Sequence, residues 1–162
     1  MKKLAALALS ALALSFIAAC GGSAPAPSQS GPAQPGAQQI GPIGKPVVEV
    51  PDIIKGKWKA VVLVVEDKDK HTTKEDTVAL GKKFKIPGSD LTIEVKEFFP
   101  SFVMQGPNIT STSNEPDNPA ALVSVSEGGN QVFNGWLFAR YPTTHAFMHP
   151  HFAITLKAGV PK

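Results

Sequence analysis

The sequence is poor in three residue types that often carry chemistry, with one cysteine, one tyrosine and one arginine among 162 residues. A single cysteine can form neither an intramolecular disulfide nor the two-cysteine attachment of a c-type haem. A single arginine, with lysines that do not gather into a stripe, provides too little local positive charge for a phosphate backbone. Nucleic acid is therefore not expected as a partner, and the fold must be held together by its core.

Familiar catalytic signatures are also missing from the sequence. It has no Gly-x-Ser-x-Gly elbow, no His-Glu-x-x-His and no glycine-rich phosphate loop. One group of acidic residues, Asp67, Asp69 and Asp76, alternates with lysines, which is typical of a solvated turn and not of a catalytic site. We therefore expect a protein without enzymatic activity.

The N-terminus carries the pattern of a secretory signal. Lys2 and Lys3 precede an apolar run that ends at Ala19 and is short for a membrane span of about 20 residues. The run closes with Ile-Ala-Ala before Cys20, which resembles the lipobox of bacterial lipoproteins. This resemblance implies a signal peptide over residues 1–19. It also implies a diacylglyceryl group on the sulfur of Cys20 and an acyl chain on its amino group, with no other cofactor. An ordinary secretory signal with a chance cysteine is the alternative.

A linker over residues 20–46 follows the signal. Residues 21–46 hold six glycines and six prolines in 26 positions, too little apolar surface to offset the entropy of ordering. Such a chain spans roughly 28 Å as a coil and about 80 Å in extended polyproline form. Gly21, in place of aspartate, resembles an outer-membrane sorting signal and implies a position facing the periplasm. Cleavage of the signal peptide would remove Lys2 and Lys3 and lower the formal net charge of the chain from +3 to +1.

Residues 47–162 have the composition of one folded domain, since 116 residues are too few for two. Short β-branched and aromatic runs between turn residues predict an all-β fold. We expect a small antiparallel barrel or sandwich of about six to seven strands. The predicted strands cover residues 57–67, 73–81, 91–99 and 151–159, with a hairpin over 120–142 that turns at 127–130. Residues 105–119 are predicted to form a polar loop.

The stretch VFNGWLFARYPTTHAFMHPHF, residues 132–152, carries a recognisable pattern. It resembles the C-terminal signature of a bacterial envelope family that contains domain of unknown function 2155. The matching positions are Phe133, Gly135, Trp136, Leu137, Phe138, Ala139, Pro142, His149, Pro150 and Phe152. The order of the upstream strands is similar too, so that the resemblance covers most of residues 57–157. It implies a fold and an envelope location, because the family has no assigned activity.

The chain departs from this family pattern at three points. Met148 stands where an acid is common before the His-Pro pair, and Ala153 stands where an aspartate is common. The cysteine pair of many members is missing. The resemblance therefore implies neither a disulfide nor an acid-dependent site.

Three of the four histidines fall within seven residues, at His145, His149 and His151. Pro150 excludes a helix and favours an extended backbone at His149, which would project His149 and His151 to the same side. Such a pair can bind zinc, and Met148 would suit copper(I) as a soft ligand. No acid lies between Tyr141 and Lys162 to orient a ligand histidine. This favours a structural His149 and exposed positions for the other two.

Trp136 and Phe138 share one face of a predicted strand, with Arg140 at the same spacing. Aromatic stripes more often pack than bind, so both aromatic side chains are expected in the core. The alternative is a surface for a ligand or a partner protein, formed by Trp136, Phe138 and Arg140.

These patterns together predict an envelope lipoprotein that is a non-enzymatic interaction or structural module. The lipid anchor would hold it on a membrane, and an envelope protein is the expected partner. The alternative is a periplasmic module that binds copper or zinc through His145, Met148, His149 and His151.

Overall fold

The computed structural model of the protein describes residues 45–162. The predicted signal peptide, Cys20 and nearly all of the predicted linker lie outside the described residues. The described part contains ten strands: β1 (Val47–Val48), β2 (Trp58–Asp67), β3 (Thr72–Ala79), β4 (Lys83–Lys85), β5 (Leu91–Phe99), β6 (Phe102–Gln105), β7 (Asn108–Ser111), β8 (Ala120–Glu127), β9 (Asn130–Phe138) and β10 (Phe152–Pro161). Across residues 45–162, no helix has the length and apolar character needed to cross a membrane.

The strands form three sheets with the orders β10-β2-β3, β4-β5-β8-β9 and β1-β7-β6. All pairs are antiparallel except β1 with β7. The all-β prediction is confirmed, and of the two architectures considered the molecule has the sandwich. Its six long strands lie where short β-branched and aromatic runs predicted strands.

The predicted strand count and the predicted polar loop over residues 105–119 need correction. Four short strands, β1, β4, β6 and β7, bring the total in the described part to ten, and β7 lies within the predicted loop. Ile109 of β7 is only 2% exposed, between Asn108 and Thr110. One apolar residue in a strand of four gives no periodic signal, so this strand could not be predicted from the sequence.

The main core lies between sheet β10-β2-β3 and sheet β4-β5-β8-β9. Each strand contributes alternate residues because successive side chains point to opposite faces. Leu91, Ile93 and Val95 of β5 are 0–1% exposed, as their alternation predicts. They pack against members of the facing sheet, which include Val61, Leu63, Val65, Val78, Ile154 and Leu156.

A second, smaller core covers the opposite face of the four-stranded sheet at one end. Phe98 belongs to the main core and Phe99 to the second one, since neighbours on a strand face opposite ways. Phe102 of β6 and Ile109 of β7 complete the second core from the small sheet. One end of the four-stranded sheet is therefore covered on both faces.

The opposite end of the sandwich is built from turns. β8 and β9 are joined by Gly128 and Gly129 with φ of 55° and 90°, the positive values that a tight two-residue hairpin turn requires. This agrees with the turn predicted at residues 127–130. The loop over residues 68–71 joins β2 to β3 at the same end, and residues 139–151 lead from β9 to β10.

Candidate functional site

The segment between β9 and β10 carries the three clustered histidines and is anchored by Phe147. Phe147 is 4% exposed and belongs to the main core. Its ring meets the ring of Phe133 edge-on, with 5.7 Å between centroids, and stacks on the ring of His149 at 5.6 Å and 8°. The segment thus has no regular secondary structure, but the packing of Phe147 holds its backbone against the main core.

His149 uses both ring nitrogens within the protein. The backbone N–H of His151 donates to Nδ1 of His149 at 3.2 Å. Because Nδ1 accepts this bond, the neutral ring carries its proton on Nε2, which lies 3.3 Å from Oε1 of Glu127. The His149 side chain is 10% exposed. These contacts give His149 a structural position between the β8–β9 turn and the start of β10.

His151 faces the β2–β3 loop. Its Nδ1 lies 2.7 Å from Oδ2 of Asp69, between side chains that are 59% and 65% exposed. Lys68 donates from its backbone N–H to the carbonyl of His151 at 2.9 Å and from Nζ to the carbonyl of His149 at 2.7 Å. The loop therefore holds the His-Pro-His stretch through the backbone and Nζ of Lys68 and through the exposed contact of Asp69 with His151.

The lack of an acid between Tyr141 and Lys162 does not leave the histidines without a carboxylate. Glu127 and Asp69 reach His149 and His151 from 22 and 82 residues away in the chain. Both acids come from turns that the sheet register brings to this end of the sandwich. A search along the adjacent sequence alone could not find them.

Two of the four candidate metal ligands, His149 and His151, have ring centroids 5.8 Å apart. Within residues 45–162, no group of three or more His, Cys, Asp or Glu side chains is arranged to hold a metal ion. His145 is exposed with a positive φ of 50°, and Met148 is 86% exposed. A metal on His149 would displace either Glu127 or the N–H of His151 from a ring nitrogen.

A pocket of about 180 Å³ adjoins the clamped stretch at Phe152. Its apolar lining comes from sheet β10-β2-β3, through Val65 and Phe152, and from the β4–β5 turn, through Ile86 and Pro87. Its polar lining belongs to the β2–β3 hairpin, through Asp67, Lys70, Thr72, Lys74 and Asp76. The pocket is therefore a concavity with an apolar floor and a charged wall.

Four charged side chains line this wall: Asp67, Lys70, Lys74 and Asp76. Asp67 and Lys70 are bonded to each other. Lys70 Nζ donates to Asp67 Oδ2, and this bond lowers the pKa of the Asp67 carboxyl and raises the pKa of the Lys70 ammonium. Lys74 and Asp76 take no part in any ion pair or hydrogen bond of this kind in the described part of the chain. Asp76, expected in a solvated turn, instead lies within β3 and is half-buried.

The second candidate group does not form an exposed aromatic surface. Trp136 is 9% exposed, with its ring 5.2 Å from that of Phe99 and 4.9 Å from that of Phe102. Phe138 packs edge-on against Phe102 at 5.0 Å. Arg140 is exposed and donates to the carbonyl of Asp117 at 2.8 Å. The two aromatic side chains serve packing, as their stripe predicted, and Arg140 secures a loop.

Sequence reasoning missed the pocket. Lys74 and Asp76 alternate in phase with Val78, which is 2% exposed and a core residue. That phase was the available signal that both charges lie on the core-facing side of β3. The alternation was hidden because Glu75, between the two, is also charged and because most of β3 is polar.

Comparison with known proteins adds no relative to this description. No protein-family profile, no curated protein and no solved structure matches the chain. The resemblance to the envelope family with domain of unknown function 2155 stays a prediction from the sequence.

Proposed function

We propose that this protein is a lipid-anchored module of the bacterial cell envelope that acts by binding rather than by catalysis. The observation that carries the proposal is the Ile-Ala-Ala-Cys sequence at the end of an apolar leader, with Cys20 the only cysteine of the chain. The tether-like composition of residues 21–46 and the β domain that follows support it. Outer-membrane attachment, facing the periplasm, is the location that Gly21 favours.

Lipidation of Cys20 would be sufficient for stable attachment. Each buried methylene contributes about 0.8 kcal/mol, and one acyl chain alone binds only marginally. A diacylglyceryl group together with an N-acyl chain would bury three chains and therefore bind the membrane much more strongly than one chain. The domain would then remain at the membrane surface while the tether lets it reach a partner in the envelope.

The test compares two variants of the full chain in a lipoprotein-processing bacterium. Mass spectrometry of the wild-type protein should find an acylated Cys20 at the mature N-terminus and no peptide from residues 1–19. Cys20→Ser should leave the membrane fraction, whereas the control Ser23→Ala should remain there. A Cys20→Ser protein that still fractionates with membranes would disprove the lipid anchor.

The metal-binding alternative has less support from the geometry. It would need His149 to release one of its two present contacts and His145 to approach from an exposed turn. Calorimetry with added Zn²⁺ or Cu⁺ tests this alternative, since a bound metal would raise the Tm of the domain.

A further inference from the structure

We propose that the pocket between β3 and the β4–β5 turn binds a small zwitterion with an apolar body, of the class of α-amino acids with aliphatic side chains. This inference does not depend on lipidation of Cys20. It rests on three observations: Lys74 and Asp76 lie on the core-facing side of β3, neither forms an ion pair within residues 45–162, and the pocket beside them has apolar lining residues.

The first observation is the register of β3 against β2. Asp76 pairs with Leu63 and Lys74 pairs with Val65, and residues directly opposite each other in an antiparallel sheet point to the same face. Leu63 and Val65 are 0% and 6% exposed and belong to the main core. Lys74 and Asp76 therefore occupy the core-facing side of the strand, where a sandwich strand normally places apolar side chains.

The second observation is that these two charges have no partners in residues 45–162, whereas their neighbours do. On the opposite face of β3, Glu75 accepts from Lys157 Nζ at 2.6 and 2.7 Å. In the same pocket, Asp67 is bonded to Lys70. Lys74 and Asp76 stand two residues apart, about 6.6 Å along the strand. They present one exposed ammonium and one half-buried carboxylate to the same pocket.

The third observation is the floor of the pocket. Ile86 and Phe152 are 3% and 9% exposed, and together with Pro87 they form an apolar surface below the two charges. The volume of about 180 Å³ is below the about 300–1,000 Å³ of sites for drug-sized ligands. This volume limits the ligand to a small molecule, to which the lining offers an apolar surface and two charges of opposite sign.

These features fit an aliphatic amino acid in one orientation. Its carboxylate would pair with Lys74, its ammonium with Asp76, and its side chain would cover Ile86 and Phe152. Charged hydrogen bonds are stronger than neutral ones, and the half-buried position of Asp76 reduces screening by water. The orientation predicts that both charges of the ligand are needed.

A role in protecting the sheet edge is the competing explanation. β3 is an edge strand, and inward-pointing charges are one device that prevents edge-to-edge aggregation. On that explanation, loss of Lys74 or Asp76 would promote self-association, and amino acids would have no effect on the protein.

The experiment is isothermal titration of the full-length protein in detergent with L-leucine, leucinamide and N-acetyl-leucine. Leucine should bind saturably, and the two derivatives, each lacking one charge, should bind about tenfold more weakly or worse. Lys74→Gln and Asp76→Asn should each weaken leucine binding by about tenfold or more. Glu75→Gln, between them but on the opposite face, should leave it unchanged.

Two outcomes would overturn the proposal. The first is no saturable binding of leucine to the wild-type protein, whether or not the variants aggregate. The second is equal binding of leucine and leucinamide, because the carboxylate would then have no partner. The ligand series on the wild-type protein tests the proposal even where a variant fails to fold, which circular dichroism would reveal.

Discussion

His149 shows how one side chain can join parts of the chain that are distant in sequence. Its ring lies between Phe147 and Phe152, with centroids at 5.6 and 5.8 Å. Its two nitrogens contact Glu127 and the backbone of His151. The ring thus links a hairpin turn, the connecting segment and the first residue of β10.

We expect His149→Ala to destabilise the domain by about 1–3 kcal/mol, since it removes two polar contacts and a packed ring. His145→Ala is the matched control, because His145 is exposed and exposed substitutions usually change stability by no more than about 0.5 kcal/mol. Urea unfolding of both variants measures the difference. Equal stabilities for the two would contradict a structural role for His149.

Glu97 provides a pH-dependent prediction. Burial raises the pKa of the Glu97 carboxyl, with no opposing contribution from a neighbouring cation in the described residues. The folded state therefore binds this proton more tightly than the unfolded state does. The resulting cost to stability is absent below the ordinary pKa of a glutamate and grows as the pH rises through the folded-state value.

Glu97→Gln should therefore raise the Tm at neutral pH, and the gain should shrink as the pH falls toward the ordinary pKa of a glutamate and vanish below it. The exposed Glu66 supplies the control, Glu66→Gln, which should show no such trend. Thermal unfolding from pH 4 to pH 8 measures both. A gain that grows on acidification would mean that the sign is wrong.

The histidines also allow a direct test for metal. A site occupied at one hundred times its dissociation constant would add about 2.7 kcal/mol of stability. Because both ring nitrogens of His149 already have partners within the protein, we expect neither Zn²⁺ nor Cu⁺ to raise the Tm. We also expect His145→Ala with His151→Ala to be nearly neutral. Calorimetry with and without each metal gives the answer. A metal-dependent increase that the double variant loses would establish the metal site instead.

The elements differ in how far the sequence predicts them. Alternation in β5 and β10 is local, so the strands and their buried faces could be predicted directly from residues such as Ile93 and Ile154. The short strand β7 could not, since it depends on pairing with β1 and β6. The acids that meet the histidines were missed for the same reason: their positions follow from strand register and not from the neighbouring sequence.

β9 provides a prediction at the scale of an element. Trp136→Ala should destabilise the domain by roughly 3–5 kcal/mol, as is typical for a large buried aromatic side chain, because the indole fills the second core between Phe99 and Phe102. Val132→Ala, on the same strand but 47% exposed, is the control. Denaturant unfolding compares the two. A Trp136→Ala protein with wild-type stability would place the indole outside the core.

For the whole molecule, the division into tether and domain predicts that the stability of the domain does not depend on the tether. Deletion of residues 21–44 should change the free energy of unfolding of the remaining domain by less than about 1 kcal/mol, because both hydrophobic cores described above are retained. The deletion leaves Val47 in place, whose backbone N–H donates to the carbonyl of Pro107 at 2.8 Å. Urea unfolding of the deleted and full chains is the measurement. A large loss of stability would show that the deleted segment packs on the domain.

The pairing of β1 with β7 decides where the chain enters the domain. β1 belongs to the small sheet, which covers the four-stranded sheet at Phe99, whereas the clamped histidines lie at the other end of β5, beside the turn that follows β8. The nine residues of β5 separate these ends by about 30 Å. If Cys20 holds the chain on a bilayer, the lipid pulls on one pole of the domain. The end with the histidines and the pocket is then the one farther from the point where the chain enters the domain, where it stays accessible to solutes.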